Sequence, residues 1–222
     1  MTSRFIAKME DVLAVYQRPY DPRYPLVCLD EKGKELQAQT HPILPMQAHQ
    51  PHANRPRQDY TYQRHGSAYL LLISEPLRGW RRVAVGEDRS HLSFAQELKQ
   101  LVDEDYPNAE RIVLVTDNLN IHGPWSLYDT FPAAEARRIA NKLEWHYTPE
   151  HGSWLNMAEI ELSALERQCL GRRFGDIAEL RSEVEVWMKD RNQRSVKIRW
   201  QFTAADARIR LRRLYPNITD KT

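Results

Sequence analysis

The sequence predicts an α/β domain: a mixed β-sheet with helices on its faces, continued by a helical C-terminal extension. Three observations predict it. Short apolar runs bounded by turn residues gather in the first third of the chain, the hydrophobic period changes to about 3.6 from Leu92 onward, and short strand-like runs then alternate with amphipathic segments.

Taken in order, Arg4 to Tyr16 sets Phe5, Met9, Val12, Leu13 and Tyr16 at helical spacing before Pro19, Pro22 and Pro25 stop it, so residues 1–24 are expected as a leading helix and linker. Pro25 to Asp30 is a brief apolar run ending in a carboxylate, with Gly33 as the turn signal behind it. It is expected as a buried strand that opens a hairpin, with Asp30 at its end. Residues 41–58 carry four prolines and no apolar period, the pattern of a long irregular loop. Ser67 to Ser74 and Trp80 to Val85 make two further strands of an antiparallel meander, joined by a turn at Pro76 and Gly79.

From Leu92, the residues Ala95, Leu98, Leu101 and Val102 share one helix face that closes at Pro107. Ile112 to Asp117 opens with four apolar residues in a row, three of them β-branched, which predicts a strand covered on both faces with Asp117 at its end. Pro132 to Leu143 is expected as a helix with its proline in the permitted first turn, Glu144 to Thr148 as a short strand, and Trp154 to Leu170 as a long helix that Gly171 and Gly175 break. Asp176 caps a helix with Ile177, Leu180, Val184 and Trp187 in one stripe. Thr203 caps a last helix whose Ala207, Leu211 and Leu214 face inward. Three antiparallel strands, then helix, strand, helix, strand, helix, is the order of a ribonuclease-H-like fold, although periodicity alone leaves it one of several α/β candidates. Residues 25–170 form this domain and 171–222 the helical extension.

The bulk numbers exclude several classes. Charged residues make up 28% of the chain and the mean hydropathy is -0.68, yet the 41% apolar fraction is enough for a packed core. No apolar run approaches the roughly 18 residues of a membrane span, and the first residues lack a signal-peptide pattern, so a cytoplasmic protein with no membrane partner is expected. Cys28 and Cys169 lie in apolar runs and are read as thiols of a reducing compartment. The net charge of +2 decides nothing. Its distribution says more: from Arg191 onward nine cations face only Asp206 and Asp220, which suits a solvated helix face and a phosphate-contacting surface about equally.

The chemistry sits in three acids. Phosphodiester cleavage needs an activated water or 3′-hydroxyl and a stabilised leaving alkoxide, and two magnesium ions about 3.5–4 Å apart supply both. Magnesium takes oxygen ligands and keeps several waters, so two aspartates at neighbouring strand ends and one acid on a helix suffice. Asp30 and Asp117 suit the first requirement, although either alone would more often be a turn or capping aspartate. For the third, Glu159 and Glu161 flank the buried stripe of the 154–170 helix on opposite sides, and spacing does not choose between them.

Here the sequence resembles a known family. Val27 to Glu31, Leu114 to Asn118 with His122, and His151 to Glu159, in that order, are similar to the motifs of bacterial insertion-sequence transposases related to mariner. Asp59 to Tyr62, Ser126 to Tyr128, Glu135 to Arg137 and Trp200 to Thr203 extend the likeness over nearly the whole chain. In that superfamily the third acid follows three residues after the asparagine of a leucine-asparagine pair, here Asn156, which selects Glu159. The resemblance implies a catalytic, metal-binding triad of Asp30, Asp117 and Glu159 on a ribonuclease-H-like fold. It also implies Mg2+ as the cofactor, with Mn2+ able to substitute, and cleavage at transposon ends followed by strand transfer. The expected partners are double-stranded DNA and a second copy of the chain, in a bacterial cytoplasm at the nucleoid.

Glu31, Asn118, His122 and Asn156 lie in the same motifs, either orienting metal-bound water or DNA or making ordinary hydrogen bonds. Arg172 and Arg173 join them as candidate DNA contacts. The Asp117 to Glu159 interval is longer than is typical of mariner, with the extra residues expected around Pro124 to Ala134. Asp30 arrives after one short helix, so the helix-turn-helix modules that read transposon ends are not expected in this chain. A stand-alone nuclease of the same fold and an inactive remnant that binds DNA or a full-length partner are the competing readings. Zinc at His41, His49, His52 and His65 is disfavoured by their irregular spacing, and no phosphate-binding glycine loop is present.

Overall fold

A computed structural model of the chain describes residues 3–39 and 61–216. The expected loop at 41–58, and with it His41, His49 and His52, lies outside the described residues. Five strands form one sheet in the order β3-β2-β1-β4-β5. They are β1 (Leu26–Gln39), β2 (Tyr62–Glu75), β3 (Trp80–Gly86), β4 (Ile112–Thr116) and β5 (Leu143–Tyr147). The first three pair antiparallel, while β4 runs parallel to both β1 and β5, which makes the sheet mixed as the element order predicts.

Side chains alternate between faces along each strand, and each face has its own helices. On one face Leu26, Cys28, Leu70, Leu72, Val113 and Val115 pack against α1 (Ser3–Tyr16), α5 (Ala158–Leu165), α6 (Ile177–Gln193) and α7 (Ala204–Arg210). On the other, Val27, Leu29, Leu71, Ile73, Ile112 and Leu114 pack against α2 (His91–Gln100), α3 (Trp125–Thr130) and α4 (Ala133–Asn141). The inward stripe of α1 is buried in the same core as α5 and α6. The predicted caps form: Asp176 accepts from the Glu179 amide at the start of α6, and Thr203 with Asp206 makes a capping box on α7.

Three local expectations are corrected. Asp30 does not end a strand, and Gly33 is not in a turn: β1 continues for nine residues beyond Asp30 as a ribbon with β2, in which Gly33 faces Tyr69 and a bulge falls between Glu35 and Gln37. The run Glu31 to Gln39 is polar apart from Leu36 and Ala38, and its side chains from 31 to 38 are mostly part-buried, so its strand character has no apolar signal. The interval between Pro124 and Ala134 holds a helix, α3, that the periodicity does not predict; six residues are too few to show a stripe. Finally, the helix expected from Trp154 begins with a separate 3-10 turn (Ser153–Leu155), and α5 starts only at Ala158.

Candidate active site

Register places the two aspartates. Cys28 lies beside Val115 in the parallel β1–β4 pair, so Asp30 and Asp117 each follow two residues after this last paired position of neighbouring strands. Two residues is one full side-chain period, so Asp30 lies on the face of Cys28, the face that α5 covers. The β4 ladder has run out at this point, and β1 has only β2 beside it from Asp30 onward.

Glu159 and Glu161 are separated by their surroundings. Glu161 is 1% exposed and accepts from Arg191 at 2.8 and 3.1 Å, with the Arg81 guanidinium 3.4 Å away, so it belongs to a buried ion cluster of the core. Glu159 is half-buried in the first turn of α5, and its charge reaches Asp30. The residue two positions before α5 fixes this turn: Asn156, fully buried, accepts from the Ala158 amide at 3.1 Å and donates to Leu29 O at 2.8 Å and to Asp30 Oδ2 at 3.3 Å. One side chain thereby ties the start of α5 to β1 at Asp30. Tyr16 of α1 secures the same turn, donating to Leu155 O at 2.7 Å and accepting from the Met157 amide at 3.3 Å.

The electrostatics follow from this crowding. Burial, and then the charges of Glu159 and Asp117, push the Asp30 carboxyl up to about 7 against the opposing Glu31 amide and His122. Burial also pushes Asp117 up, but the His122 hydrogen bond and charge, the Leu119 amide at 3.1 Å and Arg89 outweigh it, and the net shift is downward. His122 is buried against the Phe94 ring, with centroids 4.6 Å apart. Its Nδ1 meets Asp117 Oδ1, and its Nε2 meets Glu31 Oε1 at 3.1 Å. Burial pulls the imidazole down, and the hydrogen bonds and charges of the two carboxylates outweigh it, so its pKa is raised.

Of the remaining predicted residues, Glu31 lies in this network, while Asn118, next to Asp117 in the chain, bonds outside it. Glu31 also pairs with Arg89, and the Asn118 side chain donates to Thr148 O. Arg172 and Arg173 do not come to it. Arg172 pairs with Glu179 at 2.6 Å and Glu183 at 3.2 Å, and Arg173 lies over Tyr62, which faces Gln39 at the far end of the β1–β2 ribbon, about 30 Å along the strand from Asp30. His65 faces Gly175 O at 2.8 Å. Two cations enter that the sequence does not single out. Arg89 arrives from the turn before α2, and Lys8 of α1 donates to Asn118 Oδ1. Neither has a local sequence signal, because both reach the site only through long-range packing.

Among the described residues no three His, Cys, Asp or Glu groups form a ready metal cage. The chemistry of the donors nevertheless suits a magnesium ion, which prefers carboxylate oxygens and retains several of its own waters. Asp117 turns Oδ1 to both His122 and the Leu119 amide, and the burial that chiefly raises Asp30, with the added repulsion of Glu159 and Asp117, is what a divalent cation would offset.

A sequence model of the DDE superfamily endonuclease family matches residues 25–181. No curated protein matches the chain significantly. Among solved structures, the chain is similar to the Mos1 mariner paired end complex with Mn at 17% identity and a TM-score of 0.55, over 91% of this chain and 61% of that one. It is similar to the mariner Mos1 paired end complex with Mg at 16% identity and a TM-score of 0.53, over 93% and 63%, and to the Mos1 strand transfer complex at 15% and 0.52, over 87% and 56%. The chain thus spans about three fifths of the length of the structures it resembles, and at these identities the likeness shows the ribonuclease-H-like fold. The family match covers well over half of the sequence, and the chain belongs to the DDE superfamily endonucleases.

Proposed function

We propose that this chain is the catalytic part of a DNA transposase, cutting double-stranded DNA at transposon ends and joining them to target DNA as a homodimer. Asp30, Asp117 and Glu159 would hold Mg2+, or Mn2+ in its place. What supports the reading is that Asp30 and Asp117 each follow two residues after the paired Cys28 and Val115 of neighbouring parallel strands, while Asn156 ties the turn that leads to Glu159 to the Asp30 carboxylate. The family match supports phosphodiester chemistry, and the similar Mos1 structures, described as paired end and strand transfer complexes, support DNA ends as the substrate.

Ions held by Asp30, Asp117 and Glu159 would supply activation of the attacking hydroxyl and stabilisation of the leaving 3′-oxygen. The protein's own groups do the rest. His122 holds Asp117 in one orientation and balances its charge. Asn156 fixes the Asp30 carboxylate against α5, and the rigid sheet keeps both aspartates at neighbouring positions before substrate arrives. Incubating the chain with Mg2+ and intact or pre-cleaved end DNA tests this. Cut and joined products are expected from the native chain, and Asp117→Asn should remove both. Cleavage without joining points instead to a nuclease of the same fold, and DNA binding without either product to an inactive remnant.

A further inference from the structure

We propose that Lys8 is a phosphate contact of this site, so that the DNA strand lies against α1 as well as against the ends of β1 and β4; the inference rests on the transposase reading. Lys8 donates to Asn118 Oδ1, the residue after Asp117, and Asn118 is oriented by its own bond to Thr148 O. The Lys8 ammonium lies over the Tyr147 ring, with Nζ 5.9 Å from the centroid.

No carboxylate among the described residues neutralises Lys8, whose ammonium meets the neutral Asn118 amide and the face of the Tyr147 ring. Acids do lie on the same helix. Glu10 is held by Arg208 at 2.7 Å, and Asp11 faces His146 at 2.7 Å. The cations that act on Asp117 are His122 and Arg89. An ammonium held against the residue after Asp117 without an anionic partner adds little to folding, but it suits an incoming phosphodiester. The helix that presents it is firmly placed: Met9, Val12 and Leu13 are fully buried, and Tyr16 bonds the turn before α5. Lys8 therefore projects from a firmly placed helix to the residue that follows Asp117.

Two measurements test it. Acetylation of lysines in the native chain, with and without a mixed-sequence duplex of about 30 base pairs, should show Lys8 protected when DNA is bound. In Lys8→Met, which keeps the stem, the slope of log affinity against log salt should fall in magnitude by about 0.9, the amount of one phosphate contact, while Lys8→Arg keeps the native slope. Equal acetylation of Lys8 in free and bound protein, or an unchanged slope in Lys8→Met, overturns the proposal even if the protein folds, binds and cuts DNA. A native chain that does not bind the duplex at all refutes the transposase reading itself, and the Lys8 contact with it.

Discussion

Exchanging glutamates two positions apart on α5 separates the chemistry from the fold. In Glu161→Gln, Arg81 and Arg191 are left in the core facing a neutral amide. Both arginines are nearly inaccessible, and Arg81 is already pulled down by burial, with Glu161 pushing back and Arg191 adding to the fall. Removing one partner of such a cluster costs about 3–5 kcal/mol. Asn192, which accepts from Arg81 at 3.3 Å and donates to its carbonyl at 2.8 Å, retains part of the network, so the lower end of that range is expected. For a chain of this size, 3 kcal/mol lowers the melting midpoint by roughly 6–12 °C. Glu159→Gln should do the opposite. It removes a charge that repels Asp30, so metal-free stability should be unchanged or slightly higher, while metal-dependent cleavage falls by orders of magnitude. Thermal denaturation without metal, paired with cleavage assays well below both midpoints, reads the two effects separately. If Glu161→Gln melted like the native chain while abolishing cleavage, the assignment of the two acids would be reversed.

Two more outcomes follow from particular contacts. Asp30 titrates near 7 in the folded protein against 3.8 for an ordinary aspartate, so the folded state holds the extra proton between those values. Its contribution is present at low pH and is lost as the pH rises through about 7, so metal-free stability should fall from about pH 5 to pH 8 by an amount on the order of 1–3 kcal/mol. Urea midpoints should show this slope flattened in Asp30→Asn and by added Mg2+; a slope unchanged in Asp30→Asn counts against the crowding of the three acids. Gly79 turns the chain between β2 and β3 at φ +77, and an added Cβ would lie 2.5 Å from the Ser195 backbone. Gly79→Ala should therefore cost about 1–2 kcal/mol for the left-handed backbone and more for displacing the segment after α6, read as a lower melting midpoint. A native midpoint would show that the segment moves aside freely.

The elements whose buried faces show in the sequence are the ones it predicts well. Ile112 to Thr116 reads as a doubly covered strand because it is buried on both sides, and α6 reads as a helix because Leu180, Val184 and Trp187 all face the core. The polar half of β1 carries no such signal, since its pairing with β2 is made by backbone groups common to every residue. Helix α3 is too short for its period to register. At the site, the family motifs indicate Asp30, Asp117 and Glu159, but the spacing that offers Glu161 as an equal candidate is resolved only by Arg81 and Arg191, distant residues that converge on it.

The same reasoning explains why the acids are surrounded by contacts from outside the family match. Two aspartates on adjacent strands need only the sheet, but a third acid on a helix must be held against the sheet in rotation and in height. Asn156 sets the height by joining the first turn of α5 to Leu29 and Asp30. Tyr16, from α1, closes the same turn on the other side, and Glu161 pins the rotation by docking on Arg191 of α6 and Arg81 of β3. The matched span of 25–181 contains the three acids but neither Tyr16 nor Arg191. Contacts from α1 and from the part of α6 beyond that span therefore help to set where the first turn of α5, which carries Glu159, sits against β1.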